Sequence, residues 1–211
     1  MDIYLSTAYL APIQYYSKFL IANNIFIERE ENYIKQSYRN RCSIVSANGM
    51  IPLSIPVVHS SGEKIKTKEI RISEHGNWQH MHWNAIISAY NSSPFFEYYQ
   101  DDFYPFYHKK YSFLFDFNRD LSDLILSLLN IDIPQLGYTT EYKTEFREGE
   151  IDFREGINPK RARNIEDLSF VSSPYYQVFT SKFGFIGNMS IIDLLFNMGN
   201  ESQLVLKDSV I

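Results

Sequence analysis

A row of cations in residues 33–42, YIKQSYRNRC, could bind an anionic group. If this stretch forms a β-strand, successive side chains point to opposite faces, so Lys35, Arg39 and Arg41 share one face. The row would span roughly 20 Å at about 3.3 Å per residue, enough for a diphosphate and an attached group, and each arginine could contact phosphate oxygens in pairs. The alternative is a solvent-exposed face whose cations pair with the glutamates between residues 28 and 31.

A histidine and an acidic pair could carry out proton transfer. His82 could act as a general base that activates an amine or hydroxyl acceptor, although a lone histidine on an apolar helix stripe is more often a hydrogen-bonded core residue. Glu97 and Asp101 are close enough in sequence to be neighbours on a helix. Paired carboxylates suit acid–base catalysis or a magnesium ion beside a diphosphate, and the alternative is a solvated helix face.

The residue spacing gives little support to metal or covalent chemistry. His80 and His82 point to different sides of a helix, and no set of histidines and acids has a convincing zinc-ligand spacing. The chain has no Walker A loop, no GxSxG elbow and no GxGxxG turn. Cys42, the only cysteine, lies among apolar residues and is predicted to be a small buried hydrophobe. We therefore predict no metal site, and the residues leave any cofactor unidentified.

The composition is that of a globular protein with a sizeable core. The chain has 211 residues, of which 45% are hydrophobic and 16% aromatic, so global disorder is excluded. A formal net charge of -5 argues against general nucleic-acid binding. No run approaches the roughly 18 apolar residues that cross a bilayer, and the N-terminus lacks the features of a signal peptide. We expect a cytoplasmic protein without an intramolecular disulfide.

Periodicity in the first part of the chain predicts two supersecondary units. Residues 3–10 and 24–30 have the character of strands, and residues 13–22 carry a helical apolar stripe. This order predicts a βαβ unit with a parallel strand pair, and the turn after its first strand is a place where α/β folds bind ligands. Two β-rich runs in residues 41–58 flank Asn48-Gly49, which is a strong hairpin signal.

Most of the remaining chain is predicted to be helical. Apolar spacing indicates helices over 77–93 and 118–131, and Ser93 fits the N-cap of a further helix between them. Near the C-terminus, Ser190 and Asp193 resemble a capping box at the start of a short helix.

A highly charged stretch interrupts these helices. Twelve of the 23 residues in 141–163 are charged, which predicts a solvated loop or lid. Two near-copies within it, Phe146-Arg147-Glu148-Gly149 and Phe153-Arg154-Glu155-Gly156, are attributed to local coincidence rather than to a repeat architecture. Strands mixed with helices predict an α/β or α+β fold with a mixed sheet. This fold has an N-terminal βαβ unit, an Asn-Gly β-hairpin and a helical middle and C-terminal part.

Several blocks of the chain together resemble the WbqC-like family of bacterial proteins. They occur in the family's order and cover nearly the whole chain: YLAPIQYYSKFLIA, YIKQSYRNRC with ANG and LSIPV after it, Trp78 with His82, Tyr90 followed by SPFFEYY, DFREGINPK and NMSIIDLLFNMG. The resemblance implies a single domain over residues 1–211, with the charged loop or lid at about 141–163. Such proteins are often encoded among O-antigen and other surface-polysaccharide genes, and transfer of an amino acid such as glycine to a sugar has been suggested for the family.

The resemblance also implies site residues and a function. Positions that match the family's blocks and are assigned to substrate binding are Gln14, Tyr15, Lys35, Arg39, Asn40, Arg41 and Tyr90. Catalysis is assigned to His82, which also matches, and to Glu97 and Asp101. The predicted function is an enzyme of bacterial surface-polysaccharide biosynthesis that transfers an aminoacyl or related group to a sugar and binds a phosphorylated or nucleotide-linked small molecule. The alternative is a non-catalytic binding or scaffold protein for a nucleotide-sugar, a lipid-linked intermediate or a partner enzyme.

Overall fold

The chain opens with the βαβ unit that the sequence predicts. The computed structural model describes residues 1–59, 64–160 and 167–211. The unit consists of two parallel strands joined by a helix and a 3-10 turn: β1 (Asp2–Ser6), α1 (Ile13–Ser17), the turn Lys18–Leu20 and β2 (Asn24–Glu28). Apolar side chains at alternate positions of both strands are buried, so one face of the pair joins the core.

The predicted β-hairpin is also confirmed. Strands β3 (Arg41–Ser46) and β4 (Gly49–Ser54) are antiparallel and pair Ser46 with Gly49 across a two-residue turn. Gly49 has a φ of +96°, a conformation that residues with a Cβ rarely adopt, which explains glycine at this position. A second antiparallel pair follows, formed by β5 (Val57–Val58) and β6 (Arg71–Ile72).

The strand predicted over residues 33–42 is wrong for most of that stretch. β3 begins only at Arg41, residues 33 and 34 are irregular, and residues 35–40 form turns and bends. The cations therefore do not share one strand face, because Lys35 is exposed whereas Arg39 is only 2% exposed. The buried Glu31 carboxylate, described below, holds the Arg39 side chain and favours this folded path over an extended strand.

Three helices form the middle of the chain: α2 (Trp78–Tyr90), α3 (Phe96–Phe103) and α4 (Leu114–Leu129). All three are predicted from the sequence, but α4 begins before residue 118 because Phe115 and Phe117 pack into the core. The predicted N-cap at Ser93 is wrong. Its hydroxyl donates a hydrogen bond to the Tyr90 carbonyl at 2.7 Å, within the turn that ends α2, and Phe95 is the residue before α3.

Two further strands complete a parallel sheet, β7 (Gln135–Tyr138) and β8 (Glu150–Asp152). The strand order is β7-β2-β1-β8, and every neighbouring pair is parallel. Parallel strand pairs occur in the four-stranded sheet, and antiparallel strand pairs occur in two separate two-stranded sheets. Helices lie between these strands along the chain. The predicted α/β class, with its βαβ unit, hairpin and helical middle and C-terminal part, is confirmed.

The solvated loop or lid predicted over residues 141–163 is wrong for part of its length. β8 lies within the stretch, and Arg154, two residues after β8, is only 4% exposed. The high fraction of charged residues predicts a solvated loop, but several of these charged side chains form ion pairs with other side chains instead of facing solvent. Residues 161–163 lie outside the part of the chain that the structure describes.

The C-terminal part contains helices α5 (Thr180–Phe183), α6 (Ile191–Met198) and α7 (Ser202–Asp208). α6 is the expected helix, but the capping box is wrong. The Ser190 hydroxyl donates to the Leu10 carbonyl at 2.8 Å, and the Asp193 side chain is 1% exposed in the core. The serine thus fastens α6 to the loop after β1 instead of capping its helix.

The core draws on residues from both ends of the chain, from Ile3 to Leu206. Cys42 is fully buried, as predicted, and burial raises the pKa of its thiol. Among the described residues, no helix combines the length and the apolar composition needed to cross a bilayer.

The buried Asp193 carboxylate joins α2 to α6 and to the loop before α5. It accepts hydrogen bonds from the Tyr90 hydroxyl at 2.8 Å, the Tyr175 hydroxyl at 2.6 Å and the Gln177 amide at 2.7 Å. Burial raises the pKa of the carboxyl, and the three donors oppose this by stabilising the charged form.

We predict that Tyr90→Phe lowers the free energy of unfolding by about 1–3 kcal/mol, because it removes one donor from a buried carboxylate. The matched control is Tyr98→Phe, since Tyr98 is 77% exposed, and we expect it to change stability by less than about 0.5 kcal/mol. Urea denaturation of both variants at neutral pH measures the difference. Equal stabilities of the two variants would contradict a structural role for the Tyr90 hydroxyl.

Candidate functional site

The carboxyl ends of the parallel strands meet at one edge of the sheet, where charged residues follow them. Ser6 at the end of β1 lies opposite Glu28 at the end of β2, and Asp152 ends β8 on the other side of β1. Because β1 leads through α1 to β2 while β8 lies on its opposite side, the strand order switches direction between β1 and β8. Open parallel sheets bind ligands at such a point.

Arg39 occupies this switch point as a buried cation. Its guanidinium binds the Glu31 carboxylate through two nitrogens, Nε to Oε1 at 2.7 Å and Nη2 to Oε2 at 2.6 Å. Nη2 also donates to Ser6 Oγ at 2.7 Å and to Glu155 Oε1 at 2.7 Å. The Glu31 side chain is 6% exposed but that of Glu155 is 44% exposed, so one partner is fixed in the interior and the other faces solvent.

Arg154 forms a second buried ion-pair cluster beside the first. Its Nη1 donates to Glu28 Oε2 at 2.8 Å, and its Nε and Nη2 both donate to the Asp152 carboxylate at 2.8 Å. The guanidinium lies over the rings of Tyr142 and Phe146, with 4.5 and 5.1 Å to the centroids. The cluster therefore joins the ends of β2 and β8 to the segment before β8.

A cleft of about 480 Å³, here called the edge cleft, opens beside these clusters. Its lining comes from the segment after β2, from one lysine and from residues before, within and after β8. The lining residues are Glu30, Glu31, Asn32, Tyr33, Ile34, Lys66, Tyr142, Asp152, Arg154 and Glu155. Its volume is within the range of small-molecule sites. Acids outnumber bases in this lining, so an anionic ligand must displace a carboxylate to reach a guanidinium.

Two neighbouring glutamates of the edge cleft have pKa values shifted in opposite directions. Hydrogen bonds from Lys66 and Lys68 lower the pKa of the Glu30 carboxyl. Burial raises the pKa of the Glu31 carboxyl, although the ion pair with Arg39 opposes the shift. A cleft carboxyl with a raised pKa is a candidate for accepting or donating a proton.

Of the predicted binding residues, the structure brings Tyr15 and Arg39 together. The Tyr15 hydroxyl donates to the Ser6 carbonyl at 3.1 Å, and both side chains line a narrow gap of about 10 Å³ at the end of β1. Lys35 is exposed in the turn before Arg39, and Arg41 donates to Ser54 Oγ at 2.9 Å on the hairpin. The cationic row is thus split among three environments.

The other predicted binding residues contact protein groups. Gln14 donates to Asp167 at 2.8 Å and accepts from Asn188 at 3.1 Å, and the Asn40 amide donates to the Ile55 carbonyl at 2.8 Å. Tyr90 binds the buried Asp193 as described above. Their assignment to substrate binding stays a prediction.

The predicted catalytic residues lie in two places. His82 is 5% exposed and has Nδ1 2.9 Å from the Tyr9 hydroxyl, which is in turn 3.0 Å from the Tyr107 hydroxyl. Burial lowers the pKa of His82 to about 4, so its imidazole is neutral at pH 7. Glu97 and Asp101 are exposed on α3. None of these three is among the described residues that line the edge cleft, and their catalytic roles stay predictions.

The sequence contained a signal for the residues that form the edge cleft. Glu30 and Glu31 come just after β2, and Asp152 ends β8 with Arg154 and Glu155 after it. Charged residues after parallel strands converge at the carboxyl edge. The charged composition of residues 141–163 predicts a loop where β8 lies, and the cation pattern places the glutamates at the surface. For these two reasons, the edge cleft is not predicted from the sequence. The described part of the chain holds no group of three or more His, Cys, Asp or Glu side chains that could ligate a metal.

We predict that His82 makes the protein less stable as the pH falls. A neutral buried histidine with a pKa of about 4, against 6.5 when unfolded, stabilises the folded state above pH 6.5, and this contribution is lost between pH 6.5 and 4. The loss amounts to about 3 kcal/mol. His82→Gln should therefore flatten the fall in unfolding free energy over this window, whereas His80→Gln, at an exposed position, should not. Urea denaturation at several pH values tests this, and identical slopes for wild type and His82→Gln would refute it.

Comparison with known proteins places the chain in a family. A model of the WbqC-like protein family matches residues 7–153, a range that contains Arg39 and most of the edge cleft. The uncharacterized protein Rv1507c of Mycobacterium tuberculosis is 24% identical over 215 residues, which cover 92% of this chain and 91% of the relative. No solved structure matches. Because the family model covers more than half of the sequence, the chain belongs to the WbqC-like protein family.

Proposed function

We propose that the edge cleft binds a phosphorylated or nucleotide-linked small molecule through Arg39. The observation that carries this proposal is the position of Glu155, whose half-exposed carboxylate reaches a guanidinium that is otherwise buried. Its Oε1 stands 2.7 Å from Arg39 Nη2, where an anionic ligand oxygen would bind. Glu31 and Ser6 would hold the guanidinium in place while Glu155 turns to solvent.

The bound molecule would serve as a substrate in bacterial surface-polysaccharide biosynthesis. The reaction is transfer of an aminoacyl or related group to a sugar, carried out in the cytoplasm. Family membership supports the pathway, and the cleft supports the chemistry because it combines an anion-binding position with a carboxyl of raised pKa, Glu31. Glu31 lines the cleft and accepts from Arg39 through both oxygens, so it can exchange a proton with an acceptor amine or hydroxyl once the bound anion takes over one of these contacts. His82 can do so only if the core around Tyr9 opens.

A second candidate function is non-catalytic: a binding or scaffold protein for a nucleotide-sugar, a lipid-linked intermediate or a partner enzyme. The observation that favours it is the separation of the predicted catalytic residues from the edge cleft. His82 is enclosed by Tyr9 and Tyr107, and Glu97 and Asp101 lie on the exposed face of α3. Such a protein needs the anion-binding position but no proton-transfer group.

We predict that Glu155→Gln tightens the binding of inorganic pyrophosphate, a probe for the anion-binding position. The change removes a negative charge that competes for Arg39, so the affinity should rise roughly threefold to tenfold. The matched control is Glu148→Gln, the same change in the other Phe-Arg-Glu-Gly copy, at an exposed position. Isothermal titration calorimetry at low salt measures both variants.

A companion variant, Arg39→Lys, keeps one positive charge beside Glu31 but loses the paired contacts of the guanidinium. We expect it to fold and to bind pyrophosphate roughly tenfold more weakly. If Glu155→Gln and Glu148→Gln bind pyrophosphate equally, or if none of the proteins binds it, the anion-binding position is wrong.

The enzyme and the binding protein make different predictions for Glu31→Gln. In a bacterial strain that lacks this gene and its polysaccharide, an enzyme with this variant should fail to restore the polysaccharide. The purified variant should still bind pyrophosphate, because the glutamine oxygen can accept from Arg39, and urea denaturation checks that it is folded. His82→Gln should restore it if Glu31, rather than His82, exchanges the proton. Full restoration by both folded variants would contradict the enzyme and leave the binding protein.

A further inference from the structure

One aromatic ring of the edge cleft is covered on a single face. Tyr142 lies in the irregular segment before β8 and lines the cleft. The Arg154 guanidinium lies over its ring, 4.5 Å from the centroid, and no other ring of the described residues stacks on it. The Tyr142 side chain is nevertheless 52% exposed. Because one face of the ring is covered by Arg154, the exposed area lies on the opposite face, where a flat ligand group can stack.

The position of the Tyr142 ring is fixed from its inner side. Arg154 Nη2 donates to the carbonyl of the next residue, Lys143, at 2.8 Å. The Lys143 ammonium is itself paired with Glu150 at 2.5 Å. Arg154 is held by the buried ion pairs described above, so both the cation beneath the ring and the backbone beside it are in place before a ligand arrives. A ring that is already positioned loses little conformational freedom on binding.

The charges of the edge cleft favour a ligand that carries an uncharged flat group as well as an anion. Among the described residues that line it, four are acidic and two are basic. A ligand that consists only of a phosphate gains contacts at the Arg39 position but is repelled by the remaining carboxylates. A nucleobase gains free energy by stacking on a ring, and this contribution does not depend on the charges around it.

An unpaired carboxamide in the same cleft is suited to the edge of a nucleobase. Asn32 is exposed, and its side chain makes no hydrogen bond within the ranges that the structure describes. The Tyr142 hydroxyl is also without a hydrogen bond there. A carboxamide offers one acceptor and two donors side by side, the pattern that pairs with the donor and acceptor groups along a nucleobase edge.

From this combination we infer that the edge cleft binds a nucleoside diphosphate group. Its nucleobase stacks on the open face of Tyr142, and its diphosphate takes the place of the Glu155 carboxylate at Arg39. Glu155 directly follows Arg154, the residue beneath the ring, so the two subsites are adjacent along the chain. The inference rests on the proposed function, since it names the chemical class of the ligand that the edge cleft takes.

The test compares the diphosphates of uridine, cytidine, adenosine and guanosine with inorganic pyrophosphate by isothermal titration calorimetry on the full chain at low salt. At least one nucleoside diphosphate should bind roughly tenfold more tightly than pyrophosphate, because only it can stack. Tyr142→Leu keeps an apolar side chain without the ring. It should weaken nucleoside diphosphate binding roughly fivefold to fiftyfold and change pyrophosphate binding less than about twofold. Tyr142→Phe keeps the ring and should bind both probes like the wild type.

The matched control is Tyr176→Leu, because Tyr176 is 54% exposed and is not among the residues that line the edge cleft. Urea denaturation checks that both leucine variants are folded. The inference is overturned if no nucleoside diphosphate binds more tightly than pyrophosphate, or if Tyr142→Leu and Tyr176→Leu bind it equally. It is also overturned if Tyr142→Leu weakens both probes by the same factor, since the ring then does not act by stacking.

The same titrations distinguish this inference from the proposed function. Pyrophosphate binding without tighter nucleoside diphosphate binding would refute the inference alone. Binding of a nucleoside diphosphate that depends on Tyr142, in a protein that does not bind pyrophosphate, would refute the anion-binding position at Arg39 alone. Absence of binding by every probe would refute both.

Discussion

The edge cleft depends on one constraint, the pairing of two buried arginines with buried carboxylates at the carboxyl edge of the sheet. Arg39 joins Glu31 to the end of β1, and Arg154 joins Glu28 to the end of β8. A buried ion pair adds little net stability, but loss of one partner leaves an uncompensated charge and costs roughly 3–5 kcal/mol. Each guanidinium must therefore keep its buried carboxylate in the folded protein. Because these ion pairs join the loops after β1, β2 and β8, one loop cannot move away without breaking an ion pair.

Each arginine has one buried carboxylate partner and one partly exposed partner, and only the exposed partner is easily replaced by a ligand. Glu28 and Glu31 are buried and hold the guanidinium groups from the interior, whereas Asp152 and Glu155 are partly exposed at the surface. Water can solvate an exposed carboxylate after it leaves its partner, so exchange at the outer side costs far less than exchange at the inner side. A ligand can thus compete with Glu155 while Glu31 keeps Arg39 in position.

Local patterns in the sequence were sufficient for the βαβ unit, the hairpin and the helices α2, α3, α4 and α6, because each depends on neighbouring residues. The ion-pair clusters depend on residues far apart in sequence. Arg39 and Glu155 are 116 residues apart, and Arg154 and Glu28 are 126 apart. No periodicity links such positions. β8 is only three residues long and carries two acids, so alternation of apolar and polar residues could not reveal it. Arg39 was found as a binding candidate and Glu31 as an acid near it, but the burial of this pair and its contact with Glu155 were not predicted.

The two near-copies in the charged stretch show how position in the fold decides what an arginine does. In Phe153-Arg154-Glu155-Gly156 the tetrapeptide follows β8, so Arg154 meets the carboxylates at the strand ends and is buried. In Phe146-Arg147-Glu148-Gly149 the tetrapeptide precedes β8, and Arg147 remains exposed. Phe146 packs edge-on against Tyr4 and also lies beneath the Arg154 guanidinium. The first copy thus supports the arginine of the second, so two tetrapeptides of nearly the same sequence have different roles because they lie on opposite sides of β8.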